Sequence, residues 1–78
     1  MTKEEALTSH VIYRLTLYAF KADLASVKFY TKWLVDNGHE VKLEVVEENG
    51  TRRVLTLTVD GRKMMQNGVY VSQTEVTT

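Results

Sequence analysis

The stretch whose reading decides the fold is KEEALTSHVIYRLTLYAFKADLASVKFYTKWLVD, residues 3 to 36, which contains no Gly, Pro or Asn. Thr2 followed three residues later by Glu5 has the form of a capping box and marks a helix start. From there Leu7, Val11, Leu15, Tyr18 and Ala22 recur at steps of three and four, and Phe29 and Trp33 fall on the same side when the period is carried forward. A second apolar stripe runs through Tyr13, Leu17, Phe20, Leu24, Val27, Leu34 and Val35. Between the stripes lies a basic strip of Lys3, His10, Arg14, Lys21, Lys28 and Lys32. Asn37-Gly38 supplies the left-handed residue that closes a helix.

A strand competes for part of this stretch. Val11 to Phe20 is rich in β-branched and aromatic residues and alternates, which would give a β-α-β-β chain. Helix is preferred for two reasons. The second alternating set is not cleanly polar, and no turn residue separates Phe20 from the helix that follows, where only Asp23 offers an N-cap. The segment is expected to be either one continuous helix or a hairpin bent near Phe20 to Asp23, which would let both halves cover one sheet.

Outward from the helical half, three turn signals divide the remainder: Glu48-Asn49-Gly50, Asp60-Gly61 and Asn67-Gly68. They predict a β-meander with strands at 40–47, 51–59, 62–66 and 69–74. For the first turn a three-residue loop with a bulge at Gly50 is expected, because it sets Leu43 against Leu55 and Val41 against Leu57 and keeps one face apolar. Two-residue turns follow. The helix-facing side is then Val41, Leu43, Val45, Leu55, Leu57, Val59, Met64, Val69 and Val71, with Tyr70 on the solvated side. The expected whole is a single α+β domain over 1–78: a helical half at 1–38 packed on a three- to four-stranded antiparallel meander at 39–74, with a tail at 75–78.

Composition narrows the function classes. Absent Cys removes disulfides and thiolate metal sites, and two His are too few for a protein-built zinc site, so neither metal nor cofactor is expected. Zero formal net charge, with 26% of residues charged, disfavours both a strongly basic nucleic-acid binder and an acidic mimic. Neither a membrane span nor a leader is read, so a soluble cytoplasmic protein is the expectation. Catalysis is not expected. A Ser-His-Asp set from Ser9, Ser26 or Ser72 with His10 or His39 rests on composition alone, Glu47 and Glu48 sit at a hairpin tip, and each Gly stands isolated in a turn.

What remains is surface. The helical half carries two apolar stripes and a sheet buries one, unless a hairpin turns both to the core. The surplus stripe, Leu7, Val11, Leu15, Tyr18, Phe29 and Trp33, is read as a docking face for another protein or a seam with a second copy, since aromatic residues beside Arg dominate interface energetics. A small accessory or inhibitor protein, of the kind a phage or mobile element uses to occupy a host protein, has this character. Two alternatives stand beside it: a homo-oligomeric structural protein, and a nucleic-acid binder tracking phosphates with Arg14, Lys21, Lys28, Lys32, Arg52 and Arg53.

Overall fold

Thr2 opens helix α1 (Lys3–Phe20) as a full capping box. Its hydroxyl accepts from the Glu5 N–H at 3.0 Å, and the Glu5 carboxylate accepts from the Thr2 N–H at 2.8 Å. The strand alternative for residues 10–20 is thus excluded. Val11, Leu15 and Ala19, spaced at the helical period, are all buried, so packing of one stripe overrides the local β-propensity. The computed structural model describes residues 2–71. The tail expected at 75–78 and the expected strand end at 72–74 lie outside the described residues.

The helical half is a hairpin. Helix α1 ends in a Schellman motif: Asp23 N–H donates to the Tyr18 carbonyl and Ala22 N–H to that of Ala19. Ala22 occupies the left-handed position, with φ +62°. Asp23 then caps α2 (Leu24–Asp36), accepting from the N–H and the hydroxyl of Ser26. The same motif closes α2, where His39 N–H donates to the Leu34 carbonyl and Gly38 N–H to that of Val35, now with a glycine at φ +88°. Two identical helix ends therefore differ in the one residue that bears the strain.

Four antiparallel strands follow, β1 (Val41–Glu48), β2 (Thr51–Val59), β3 (Arg62–Gln66) and β4 (Val69–Tyr70), in the spatial order of the chain. The two helices share one face of this meander, α1 over β2 to β4 and α2 over β1. Between the layers lies a core of Val11, Leu15, Ala19, Val27, Leu34, Val54, Leu57, Val59 and Met65. Full burial of Leu15, Leu34 and Leu57 stabilises the fold by roughly 1.5–3 kcal/mol each.

The register differs from the expected one at two points. The first hairpin uses a two-residue Asn49-Gly50 turn, with both residues at positive φ and Glu48 paired to Thr51, in place of the three-residue loop. The correction for face comes later, at a bulge in β2 that places Leu55 between the Glu44–Thr56 and Val45–Val54 pairs. Leu57 then meets Leu43 and Val59 meets Val41, so Val54 takes the core position expected of Leu55. A second bulge at Met64 sets Met65 against Leu57 and Tyr70 against Met65. Tyr70 therefore faces the helices and Val69 is turned out, the reverse of the expected assignment. Each bulge shifts the register by one residue and so keeps the apolar face toward the helices.

Candidate protein-binding surfaces

The hairpin bend redistributes the stripe expected to dock. Val11 and Leu15 are buried beneath α1 and form no accessible surface, because the bend lets the sheet bury this side of α1. Leu7, Tyr18, Phe29 and Trp33 remain outside or at the margin of the core. The ring of Tyr18 stacks on Tyr30 across the two helices, with centroids 5.8 Å apart and planes 7° from parallel. Phe29 meets Tyr30 edge to face at 5.1 Å and is itself 66% exposed. Farther along the seam, Leu7 and Trp33 line a groove of about 770 Å³ with Asn37 and His39 at its end. The four side chains thus belong to one helix–helix seam, with Trp33 and Tyr18 also packed against the core.

A second apolar surface includes Tyr70, the one member of it that the expected register places on the solvated side. Phe20 stacks on Tyr70 with centroids 4.7 Å apart, and both rings are about half exposed. Next to them Ile12, Tyr13, Leu17 and Met64 line a groove of about 660 Å³ between α1 and the β3–β4 end of the sheet. The signal for it lay in the second α1 stripe, Tyr13, Leu17 and Phe20. Only the bulge at Met64 shows that Tyr70 joins that stripe.

The basic residues do not form one strip. The bend sends the α1 and α2 cations to different flanks: Lys28 lines a cleft between α2 and β1 together with Arg52, whereas Arg14 and Lys21 stay on α1. Lys32 Nζ is 2.8 Å from the Asp36 carboxylate, and that neighbour raises its pKa. Arg53 Nε donates to Glu48 at 3.4 Å, and Arg52 sits opposite Glu47 across β1–β2. Three of the six cations expected to track phosphates, Lys32, Arg52 and Arg53, thus stand beside acids.

His39 and Asp60 are the one His–carboxylate contact among the described residues, with Nδ1 2.7 Å from Oδ2. The geometry is that of a clasp. Asp60 also accepts from the Glu40 N–H at 2.8 Å, and its own N–H donates to the Glu40 carbonyl. These bonds, the Glu40 N–H first and His39 second, hold the Asp60 carboxyl below its ordinary range. The clasp ties the β2–β3 turn to the segment leaving α2. His10 lies exposed on α1, and the described residues contain no group of three His, Cys, Asp or Glu side chains placed to share a metal. No helix among the described residues is long and apolar enough to cross a membrane.

Comparison with protein-family models, with curated proteins and with solved structures finds no match to this chain.

Proposed function

We propose that this chain is a non-enzymatic protein-binding module that docks a partner on the outer face of its helical hairpin and acts by occupying the partner's surface. The observation that carries the reading is Phe29: a ring two-thirds exposed, set edge-on against Tyr30 and adjoining the Tyr18 stack, outside the core that holds the fold. Rigid aromatic area of this kind loses little side-chain entropy on binding and is the commonest anchor of interface energy. Leu7, 50% exposed, extends the face toward the Trp33 groove. Arg14 and Lys21 stand one turn to either side of Tyr18, which suits a partner whose apolar groove is edged by carboxylates.

The test uses the two residues that the core does not need. Affinity capture with the intact protein as bait is compared with capture by Leu7→Ser/Phe29→Ser. A partner retained in near-stoichiometric yield by the first and lost by the second, with unchanged far-UV CD and thermal midpoint, is the expected result. Equal retention by both baits overturns the reading, as does unfolding of the variant, which would place Phe29 in the core.

A further inference from the structure

We propose that β1 pairs antiparallel with β1 of a second copy about a two-fold axis at Leu43, joining two meanders into one eight-stranded sheet. The proposal goes beyond the hairpin docking face and does not depend on it, since β1 and Phe29 lie on different elements.

β1 is eight residues long and, among the described residues, stands at the edge of the sheet and pairs on one side only. The pair flanking a two-residue turn exchanges hydrogen bonds, so Glu48 faces β2 through its backbone, and by alternation so do the other even-numbered residues of β1. The bond from the Asp60 N–H to the Glu40 carbonyl follows the same parity. The N–H and C=O groups of Val41, Leu43 and Val45 therefore line the open edge. Edge strands of monomers are commonly blunted by shortness, a bulge, Pro, an inward charge or charged side chains along the edge, Lys above all. The opposite edge is blunted, because β4 has two residues. Between Val41 and Val45 the only such device on β1 is charge, the outward Lys42 and Glu44, which a second copy in the right register can pair; both bulges arise from extra residues on other strands, and the inward side chains are Val41, Leu43 and Val45. α2 covers them incompletely, leaving Leu43 38% and Val45 43% exposed over a cleft of about 440 Å³.

The side-chain order selects a second copy in one register. With the axis at Leu43, Leu43 meets Leu43 and Val41 meets Val45 on the helix side, while Lys42 meets Glu44 twice on the other face. His39 and Glu47 come opposite at each end. Moving the axis to Lys42 or to Glu44 sets like charges directly opposite, and moving it to Val45 sets Leu43 against Glu47. Opposite charges across a pair stabilise it and like charges weaken it. An axis at Val41 also sets Lys42 against an acid, Glu40, but it places Leu43 against His39 and Val45 beyond the paired strand, so the Leu43 setting is the one that matches both the charges and the apolar residues.

Sedimentation equilibrium of the intact protein over a wide concentration range tests this, with a charge swap to fix the register. The protein should form a dimer of twice its 9.0 kDa. Lys42→Glu turns both cross-strand pairs repulsive and should weaken the dimer by about tenfold or more. Lys42→Glu/Glu44→Lys restores opposite charge and should return the dissociation constant to within about threefold of the starting value. Both residues are exposed, so far-UV CD should not change in either variant. A monomer at every concentration overturns the proposal. A dimer insensitive to Lys42→Glu overturns it as well, and if that dimer is abolished by Phe29→Ser, the hairpin face is the contact. A double swap that fails to restore a weakened dimer rejects the Leu43 axis.

Discussion

Ala22→Gly should make this protein more stable, and the sign of the effect reports directly on the bend between the helices. Ala22 holds φ +62° at the end of α1, where an L-residue pays roughly 1–2 kcal/mol because its Cβ crowds the carbonyl that follows. Glycine removes that cost but adds freedom to the unfolded chain, worth about 0.4–1 kcal/mol against folding. The difference is a gain of about 0.5–1 kcal/mol. Gly38 occupies the equivalent position at the end of α2 with the same two hydrogen bonds, so the motif accepts glycine without rearrangement. In a continuous helix the same substitution would cost about 1 kcal/mol. Urea unfolding followed by far-UV CD and Trp33 fluorescence measures the change. With a slope near the lower end for small domains, about 1 kcal/mol per molar, the midpoint should rise by ~0.5–1 M with the slope unchanged. A lower midpoint would mean that residue 22 is helical in solution and that α1 and α2 are one rod.

Four further substitutions separate the core, the seam, a buried hydroxyl and the clasp. Leu57→Ala, at a fully buried position, should cost about 2–5 kcal/mol in urea unfolding and leave a domain of this size largely unfolded, whereas Phe29→Ala should stay within about 0.5 kcal/mol. Thr31 Oγ1 is buried with no hydrogen-bond partner among the described residues, so Thr31→Val should raise stability by about 1 kcal/mol in the same assay. Asp60 has its folded pKa lowered, so its contribution is fully present above the unfolded value of about 4 and disappears as pH falls through the folded value. Asp60→Ala should therefore lower the thermal midpoint at neutral pH, with the gap to the unaltered protein closing in acid. A gap that persists unchanged at low pH would assign the loss to something other than the carboxylate.

The parts of the fold that sequence could show are those governed by local rules. Thr2 and Glu5, Gly38, and the three Gly-containing turns each act through their own backbone, and each lies where its residue type requires. The hairpin was legible only as an open choice, because Ala22 carries no mark of a left-handed residue; what holds it there is the joint burial of Val11, Leu15, Val27 and Leu34 on one sheet. Register was less legible. Asn49-Gly50 is a strong two-residue turn signal, yet the apolar pattern disagrees with it, and the disagreement is resolved by a bulge within β2, at Leu55. A bulge has no composition of its own, so Leu55, Met64 and Tyr70 could not be placed before the strands were paired. The same limit decided the docking stripe. Val11 and Leu15 share the period of Leu7 and Tyr18, and only the packed hairpin shows that the first two are core and the others seam.

The measurement that tests the proposed function most directly is site-specific photo-crosslinking in cells, with a photoreactive phenylalanine analogue placed at Phe29 and, as control, at Thr58 on the opposite face of the sheet. The hairpin face predicts a discrete crosslinked partner from position 29 and none from position 58. Crosslinks from position 58 alone, or from neither position, would contradict it.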